Sequence, residues 1–186
     1  MKDSFVALIR GINVGRNNRV AMADLRALLV DLGYRDVRTL LNSGNAAFSA
    51  PGKNAPGIAS RIQGALNTRL GIDVRVVAVS ARDLTAAVAE NPLAAVAHDP
   101  ARLLVAFLAD PADRVRLLLL ADQDWAPEAL ALGSRVAYLW CPKGVAASRL
   151  SRAVAQALGE AVTARNWSTV LKLAALVSDP AAGAQL

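Results

Sequence analysis

Residues 5–20 read FVALIRGINVGRNNRV. This stretch decides the fold because it contains one apolar element and leads into the next. Its first five residues are apolar without interruption, which predicts a buried strand. Beyond the loop, apolar residues recur at helical spacing from Met22 to Leu32, which predicts an amphipathic helix. The polar, glycine-punctuated loop at residues 10–20 is therefore held between a strand and a helix.

The rest of the first half continues as two strands, a helix and a further strand. These four elements are predicted, in chain order, at residues 36–41, 46–49, 58–70 and 74–79. Between the first two, Asn42-Ser43-Gly44-Asn45 predicts a hairpin turn, because Gly44 can adopt a positive φ. The resulting order, strand-helix-strand-strand-helix-strand, is that of a split βαβ unit.

The same six elements recur in the second half, at residues 103–108, 111–121, 129–132, 135–141, 150–158 and 161–164. A further helix is predicted at residues 167–177. The predicted fold class is therefore α+β, with two tandem ferredoxin-like (βαββαβ, α/β-plait) subdomains plus a C-terminal helix. We place the first subdomain at residues 1–80, a helical linker at residues 81–100, and the second subdomain with the C-terminal helix at residues 101–186.

The composition of the 186 residues limits the classes of function. The formal net charge is +6, and the whole excess lies in residues 1–80, where 11 lysines and arginines face 5 acidic residues. Basic surface of this kind attracts phosphate-bearing partners. A single cysteine, Cys141, and a single histidine, His98, exclude an internal disulfide and a multi-histidine metal site, so we expect no metal and no cofactor. No apolar run reaches the ~20 residues of a membrane span, so we expect no membrane partner and a cytoplasmic location.

Three polar motifs stand out in this aliphatic chain: RGINVG at residues 10–15, SGN at residues 43–45, and RNW at residues 165–167. The third is followed by Thr169-Val170 and Lys172-Leu173. Together and in this order, the motifs resemble the bacterial DUF1697 family, a domain of unknown function. The resemblance covers nearly the whole chain.

What the resemblance implies is a two-subdomain α/β-plait fold, without an established activity. The chain departs from the family pattern at three places. Arg16-Asn17 stand where glycine-lysine is usual, Asn42 stands where glutamine is usual, and Ser168 stands where asparagine is usual. A role for a lysine in the first loop does not carry over to this chain.

Strand order brings the first two motifs together in the predicted sheet. The first and second strands run in the same direction with the third antiparallel between them, so the first loop and the hairpin lie at one edge. Arg10, Asn13 and Arg16 should therefore approach Ser43 and Asn45. Guanidinium and amide donors around a glycine-opened backbone are suited to phosphate or carboxylate oxygens.

The third motif offers anion donors by another route. Arg165 precedes the last predicted helix, and Asn166 is its predicted N-cap. Exposed amides and the helix dipole favour an anion at such an end by ~0.3 to 1 kcal/mol. Our hypothesis is that the two halves close over a shared cleft, which would add these residues to those of the first half.

The candidate ligand-binding residues are thus Arg10, Asn13, Arg16, Ser43, Asn45, Arg165 and Asn166. The leading hypothesis is a protein that binds an anionic, phosphate-bearing partner, either a small molecule such as a nucleotide or a nucleic acid. A second hypothesis is a phosphoryl or acyl-phosphate hydrolase, in which Arg16 or Arg19 stabilises charge and Asn45 positions a water. The third is a protein-interaction module. In a purely structural alternative, the glycines permit tight turns, Asn13 and Asn17 cap the following helix, and Arg10 pairs with a surface carboxylate.

Overall fold

The computed structural model describes residues 2–14, 18–52 and 54–178. Within these residues, the chain forms two four-stranded antiparallel sheets and six α-helices, of which the last is C-terminal. The elements are, in order, β1 (Lys2–Ile9), α1 (Met22–Asp31), β2 (Arg35–Leu40), β3 (Asn45–Pro51), α2 (Ala55–Leu70), β4 (Val76–Ser80), α3 (Ala81–Ala89), β5 (Leu103–Leu108), α4 (Leu118–Ala121), β6 (Ala129–Leu132), β7 (Val136–Trp140), α5 (Arg149–Leu158), β8 (Val162–Asn166) and α6 (Trp167–Ser178).

The first sheet has the strand order β2-β3-β1-β4, and all neighbouring strands are antiparallel. Because β1 and β2 both run antiparallel to β3, they run parallel to each other. The carboxyl ends of β1 and β2 and the amino ends of β3 and β4 therefore meet at one end of the sheet. We call this the loop end, since it carries the loop after β1 (residues 10–20, the β1 loop) and the turn between β2 and β3 (residues 41–44, the β2–β3 turn).

The core of the first sheet follows from the alternation of side chains along β1. Phe5, Ala7 and Ile9 lie on one face and pack with buried residues of α1 and α2, such as Leu25 and Ile62. Burying each large apolar side chain of this kind contributes roughly 1.5 to 3 kcal/mol. The loop end is therefore anchored on a rigid sheet.

The second sheet repeats this plan with the strand order β6-β7-β5-β8. Leu104, Ala106 and Leu108 of β5 face a second core that includes residues of α5. Helix α5 begins with two satisfied amides, because Ser148 Oγ accepts from Ser151 N at 2.8 Å and the Glu128 carboxylate accepts from Leu150 N at 2.8 Å. Side chains thus fix the start of this helix.

Contacts divide the chain into two compact units, Met1–Arg82 with Leu173–Leu186, and Asp83–Lys172. The predicted boundaries differ from this division in two ways. Residues 83–100 of the predicted linker belong to the second unit, and residues 173–178 of the C-terminal helix belong to the first. Within the first unit, Arg38 of β2 donates from Nη2 to the carbonyl of Leu176 at 2.6 Å. A guanidinium in the last turn of α6 satisfies the Leu176 carbonyl and matches the helix dipole.

Two predicted elements of the second half need correction. The helix predicted at residues 111–121 is a 3₁₀ helix over Pro111–Leu117, and α4 adds only the last four residues. Because Leu117 is the sole buried residue of the 3₁₀ segment, packing provides little to hold a regular α-helix there. The last strand, predicted at residues 161–164, extends to Asn166 because Arg165 and Asn166 still pair with β5.

Candidate functional site

The β1 loop and the β2–β3 turn lie against each other at the loop end. Leu8 pairs with Asn45 in the sheet, and the Ile9 amide donates to the carbonyl of Gly44 at 2.8 Å. Beyond the strands, Asn13 Nδ2 donates to the carbonyl of Asn42 at 2.8 Å. The predicted approach of these two remote segments is therefore confirmed.

Gly44 allows the β2–β3 turn to approach the β1 loop closely. Its φ is +76°, and a Cβ at this position would lie 2.8 Å from Cγ1 of Ile12 and 2.9 Å from the carbonyl oxygen of Ile9. Ile12 itself is buried, with 1% of its surface exposed. The turn thus packs directly on Ile12 of the β1 loop. Glycine is required at position 44 because φ is positive there and because a Cβ would have no space.

Asn13 is the residue that closes the β1 loop. Its Nδ2 group donates to the carbonyls of Val20 and Asn42, both at 2.8 Å, and its Oδ1 accepts from the amide of Val20 at 2.9 Å. Its φ of +56° lies in the left-handed region, which asparagine tolerates better than most residues. Since an amide group has two hydrogens, both donors of Asn13 are committed to backbone carbonyls. Its role in this geometry is to hold the loop.

Asn45 does the same for the β2–β3 turn. The residue is fully buried, and its Nδ2 donates to the carbonyl of Leu40 at 3.0 Å and to Ser43 Oγ at 2.9 Å. Both amide hydrogens are again used within the turn, and Ser43 itself is exposed. Two of the predicted ligand-binding asparagines therefore build the frame of the site.

Two arginines lie side by side at the loop end. Ile9 pairs with Val76, and in the next position the Arg10 amide donates to the carbonyl of Arg75 at 2.9 Å. Both arginines are exposed, as is Arg19 at the end of the β1 loop. Arg75 was not among the residues predicted from sequence. Antiparallel pairing of β1 with β4 was the signal that could have placed it beside Arg10. The predicted Arg16 lies outside the described residues.

Arg165 and Asn166 belong to the second unit. Arg165 Nη1 donates to Thr163 Oγ1 at 3.0 Å and to the carbonyl of Ala164 at 2.9 Å. Burial lowers the pKa of its guanidinium to about 10, so it remains charged at neutral pH. Asn166 Oδ1 accepts from the Thr169 amide at 3.0 Å, which confirms the predicted N-cap of α6. That amide is thereby already satisfied by the chain itself.

Replacing this cap should destabilise the protein by about 1 kcal/mol. Asn166→Ala removes the acceptor of the Thr169 amide, and the loss of such a cap costs roughly 0.5 to 2 kcal/mol. The free energy of unfolding is measured by urea denaturation. Ser168→Ala is the matched control, because it removes only the hydroxyl that donates to the same oxygen. Equal losses in the two variants would contradict a capping role for Asn166.

The described residues also bear on metal and membrane binding. Among residues 2–14, 18–52 and 54–178, no group of three or more histidine, cysteine, aspartate or glutamate side chains is placed to hold a metal ion. Within the same ranges, no helix combines the length and the apolar character needed to cross a membrane.

Comparison with known proteins finds a family model and a similar solved structure. The family model described as "Protein of unknown function (DUF1697)" matches residues 2–138. The solved structure of the conserved bacterial protein SP0830 from Streptococcus pneumoniae is similar over 95% of this chain and 99% of that chain. Its TM-score is 0.78 at 24% sequence identity, which supports a common fold. No curated protein sequence matches the chain.

Proposed function

Because this chain belongs to the DUF1697 family of proteins of unknown function, we propose its function from its own residues. The proposed function is to bind an anionic, phosphate-bearing ligand, a nucleotide or a nucleic acid, at the loop end of the first sheet. The β1 loop and the β2–β3 turn form the site in this proposal. We further propose that each sheet with its helices is a ferredoxin-like subdomain, and that the protein is cytoplasmic.

The observation that carries the proposal is the pairing of Arg10 with Arg75. Here two exposed arginines start from adjacent backbone positions, and the Arg10 amide donates to the Arg75 carbonyl at 2.9 Å. An anion bound at this end would interact with both guanidinium groups at once. Arg19 at the end of the β1 loop adds a third cation.

The asparagines support the proposal by fixing the shape of the site. Asn13 ties the β1 loop to the β2–β3 turn, and Asn45 fixes the turn from within. Both donate to main-chain carbonyls, so the described residues of the loop and the turn are tied together before a ligand arrives. A pre-organised site avoids part of the entropy cost of binding. The exposed side chains of Asn42 and Ser43 lie on this fixed frame.

Phosphate is the anion that we propose for these donors. Guanidinium groups bind phosphate oxygens with two parallel hydrogen bonds, and hydroxyl and amide groups can occupy the remaining lone pairs. Charge distribution agrees with this choice, because the whole excess of basic residues lies in the first 80 positions. Arg165 and Asn166 remain predicted anion-binding residues of the second unit.

The hydrolase hypothesis gains no support from the geometry. It requires the Asn45 amide to position a water, but both amide hydrogens of Asn45 are committed inside the turn. Simple binding needs no such donor, so we place it first. A protein-interaction module stays the third hypothesis.

A thermal-shift screen of nucleotides, sugar phosphates and short nucleic acids tests the proposal. A ligand that binds only the folded state raises the Tm, and at a hundred times its Kd it stabilises by about 2.7 kcal/mol. We expect at least one phosphate compound to raise the Tm of the wild type, and Arg10→Ala and Arg75→Ala to lose most of this increase.

Arg35→Ala is the matched control for the screen. Arg35 is an exposed arginine of the same sheet, but it begins β2 and so lies at the end opposite to the β1 loop. The control should keep the full increase in Tm. Absence of any ligand-induced increase in the wild type, or equal losses in Arg10→Ala and Arg35→Ala, would contradict the proposed site.

A further inference from the structure

An apolar surface is exposed on the second unit, in the segment that joins β5 to β6. Val115, Leu118 and Leu119 are 65%, 41% and 79% exposed, and Leu119 has the largest exposed fraction among the exposed large hydrophobic residues described. Scattered exposed apolar residues are common, but these three lie within five positions at helical spacing and so share one side of the segment. Such a cluster is typical of an interaction surface.

The segment is held firmly on its other side. Leu117 is fully buried and Leu120 packs against the second core. Arg114 Nε donates to the carbonyl of Gly133 at 3.0 Å, and Trp125 Nε1 donates to the carbonyl of Leu120 at 2.7 Å. The exposed side chains are therefore presented on a fixed frame, and their exposure does not result from a loose loop.

Two residues of opposite charge lie at equal sequence separations on either side of Leu119. Arg116 lies three residues before Leu119 and Asp122 lies three residues after it, and both are exposed. Arg116 also bonds to Asp113 of its own segment at 3.0 Å. Two copies of the segment crossing antiparallel at Leu119 would therefore place each Arg116 opposite Asp122 of the partner subunit.

We propose that this surface, residues 115–122, is a homodimer interface related by a two-fold axis that passes near Leu119. A two-fold interface requires a self-complementary patch, and an apolar centre flanked by one cation and one anion meets that requirement. Opposite charges at the border set the antiparallel register, and the apolar residues supply buried area. The proposed occupant is a second copy of this chain. This inference is independent of the anion site, which lies in the first unit.

Sedimentation velocity of the full chain over a range of concentrations tests the interface. The wild type should show concentration-dependent dimerisation, and Leu119→Glu should shift the protein to monomer. Arg116→Asp alone and Asp122→Arg alone should also be monomeric, because each places like charges opposite each other. Circular dichroism checks that the variants fold, and Arg152→Asp, on an exposed part of α5, is a charge-reversal control expected to dimerise as the wild type does.

Mixing the Arg116→Asp variant with the Asp122→Arg variant is the decisive experiment. In a heterodimer of Arg116→Asp with Asp122→Arg, opposite charges face each other at both ends, so the mixture should dimerise although each component does not. The double variant Arg116→Asp/Asp122→Arg should dimerise by itself. A monomeric wild type at every concentration, or dimers that persist in Leu119→Glu, would overturn the proposal. Failure of the mixture to dimerise would overturn the antiparallel register.

Discussion

Gly44→Ala should destabilise the protein by about 3 kcal/mol. A left-handed backbone costs a non-glycine residue roughly 1 to 2 kcal/mol, and forcing an extra methyl group into a packed site costs typically 1 to 3 kcal/mol. Both costs apply, because Gly44 has a φ of +76° and its missing Cβ would lie 2.8 Å from Ile12 and 2.9 Å from a main-chain oxygen. Urea denaturation gives the change in the free energy of unfolding.

Gly52→Ala is the control that separates the two costs. Gly52 follows the opposite end of β3 with a φ of +79°, and no atom lies within 4 Å of its missing Cβ. This variant should therefore lose only the ~1 to 2 kcal/mol of the backbone conformation. If Gly44→Ala costs no more than Gly52→Ala, the β2–β3 turn does not pack against the β1 loop as described.

Asn13→Ala should cost about 3 kcal/mol. The substitution removes three hydrogen bonds, two to the carbonyls of Val20 and Asn42 and one from the amide of Val20. Each such bond contributes about 1 kcal/mol net, and alanine also tolerates the left-handed backbone less well than asparagine. We expect the same variant to lose affinity for the phosphate ligand, because the β1 loop is no longer tied to the turn.

Asn18→Ala is matched to this variant in residue type and backbone. Asn18 lies in the same loop with a φ of +52°, but its exposed side chain makes one long bond, of 3.4 Å, to the carbonyl of Gly11. It should lose about 1 kcal/mol, mostly from the backbone conformation. Asn13→Gly removes the side chain while allowing the positive φ, so its loss reports the hydrogen bonds without the strain that alanine adds, apart from the backbone entropy of glycine. Similar losses in Asn13→Ala and Asn18→Ala would argue against Asn13 as the anchor of the loop.

The outline of the fold could be predicted because hydrophobic periodicity is a local property. The run from Phe5 to Ile9 is apolar at every position since β1 is buried on both faces, and Gly44 marked the turn. Strand order then placed the β1 loop beside that turn. The prediction at residues 111–121 was right about the helix start, where Asp110 caps and Pro111 follows, but wrong about its type. Leu117 is the sole buried residue of the 3₁₀ segment, so packing does not hold an α-helix there.

The roles of individual polar residues could not be predicted in the same way. An asparagine in a loop can donate to a ligand or to the main chain, and only coordinates show which acceptors lie within reach. Asn13 and Asn45 both donate to main-chain carbonyls. Asn13 does not cap the following helix, because the N-cap of α1 is Ala21 and has no side-chain hydrogen bond. Asn17, the other predicted cap, lies outside the described residues. Arg75 was missed because its place in the site comes from pairing with β1, whereas in the sequence it is a single cation within the strand predicted at residues 74–79.

Titration of the ¹⁵N-labelled protein with inorganic phosphate and with adenosine monophosphate, followed by backbone amide shifts, tests the central claim most directly. We predict saturable changes in amide chemical shift that concentrate on Arg10, Ile12 and the β2–β3 turn. Arg35, at the opposite end of the sheet, should change little. Shifts that are absent for both compounds, or that spread away from the loop end, would contradict a phosphate site at this position.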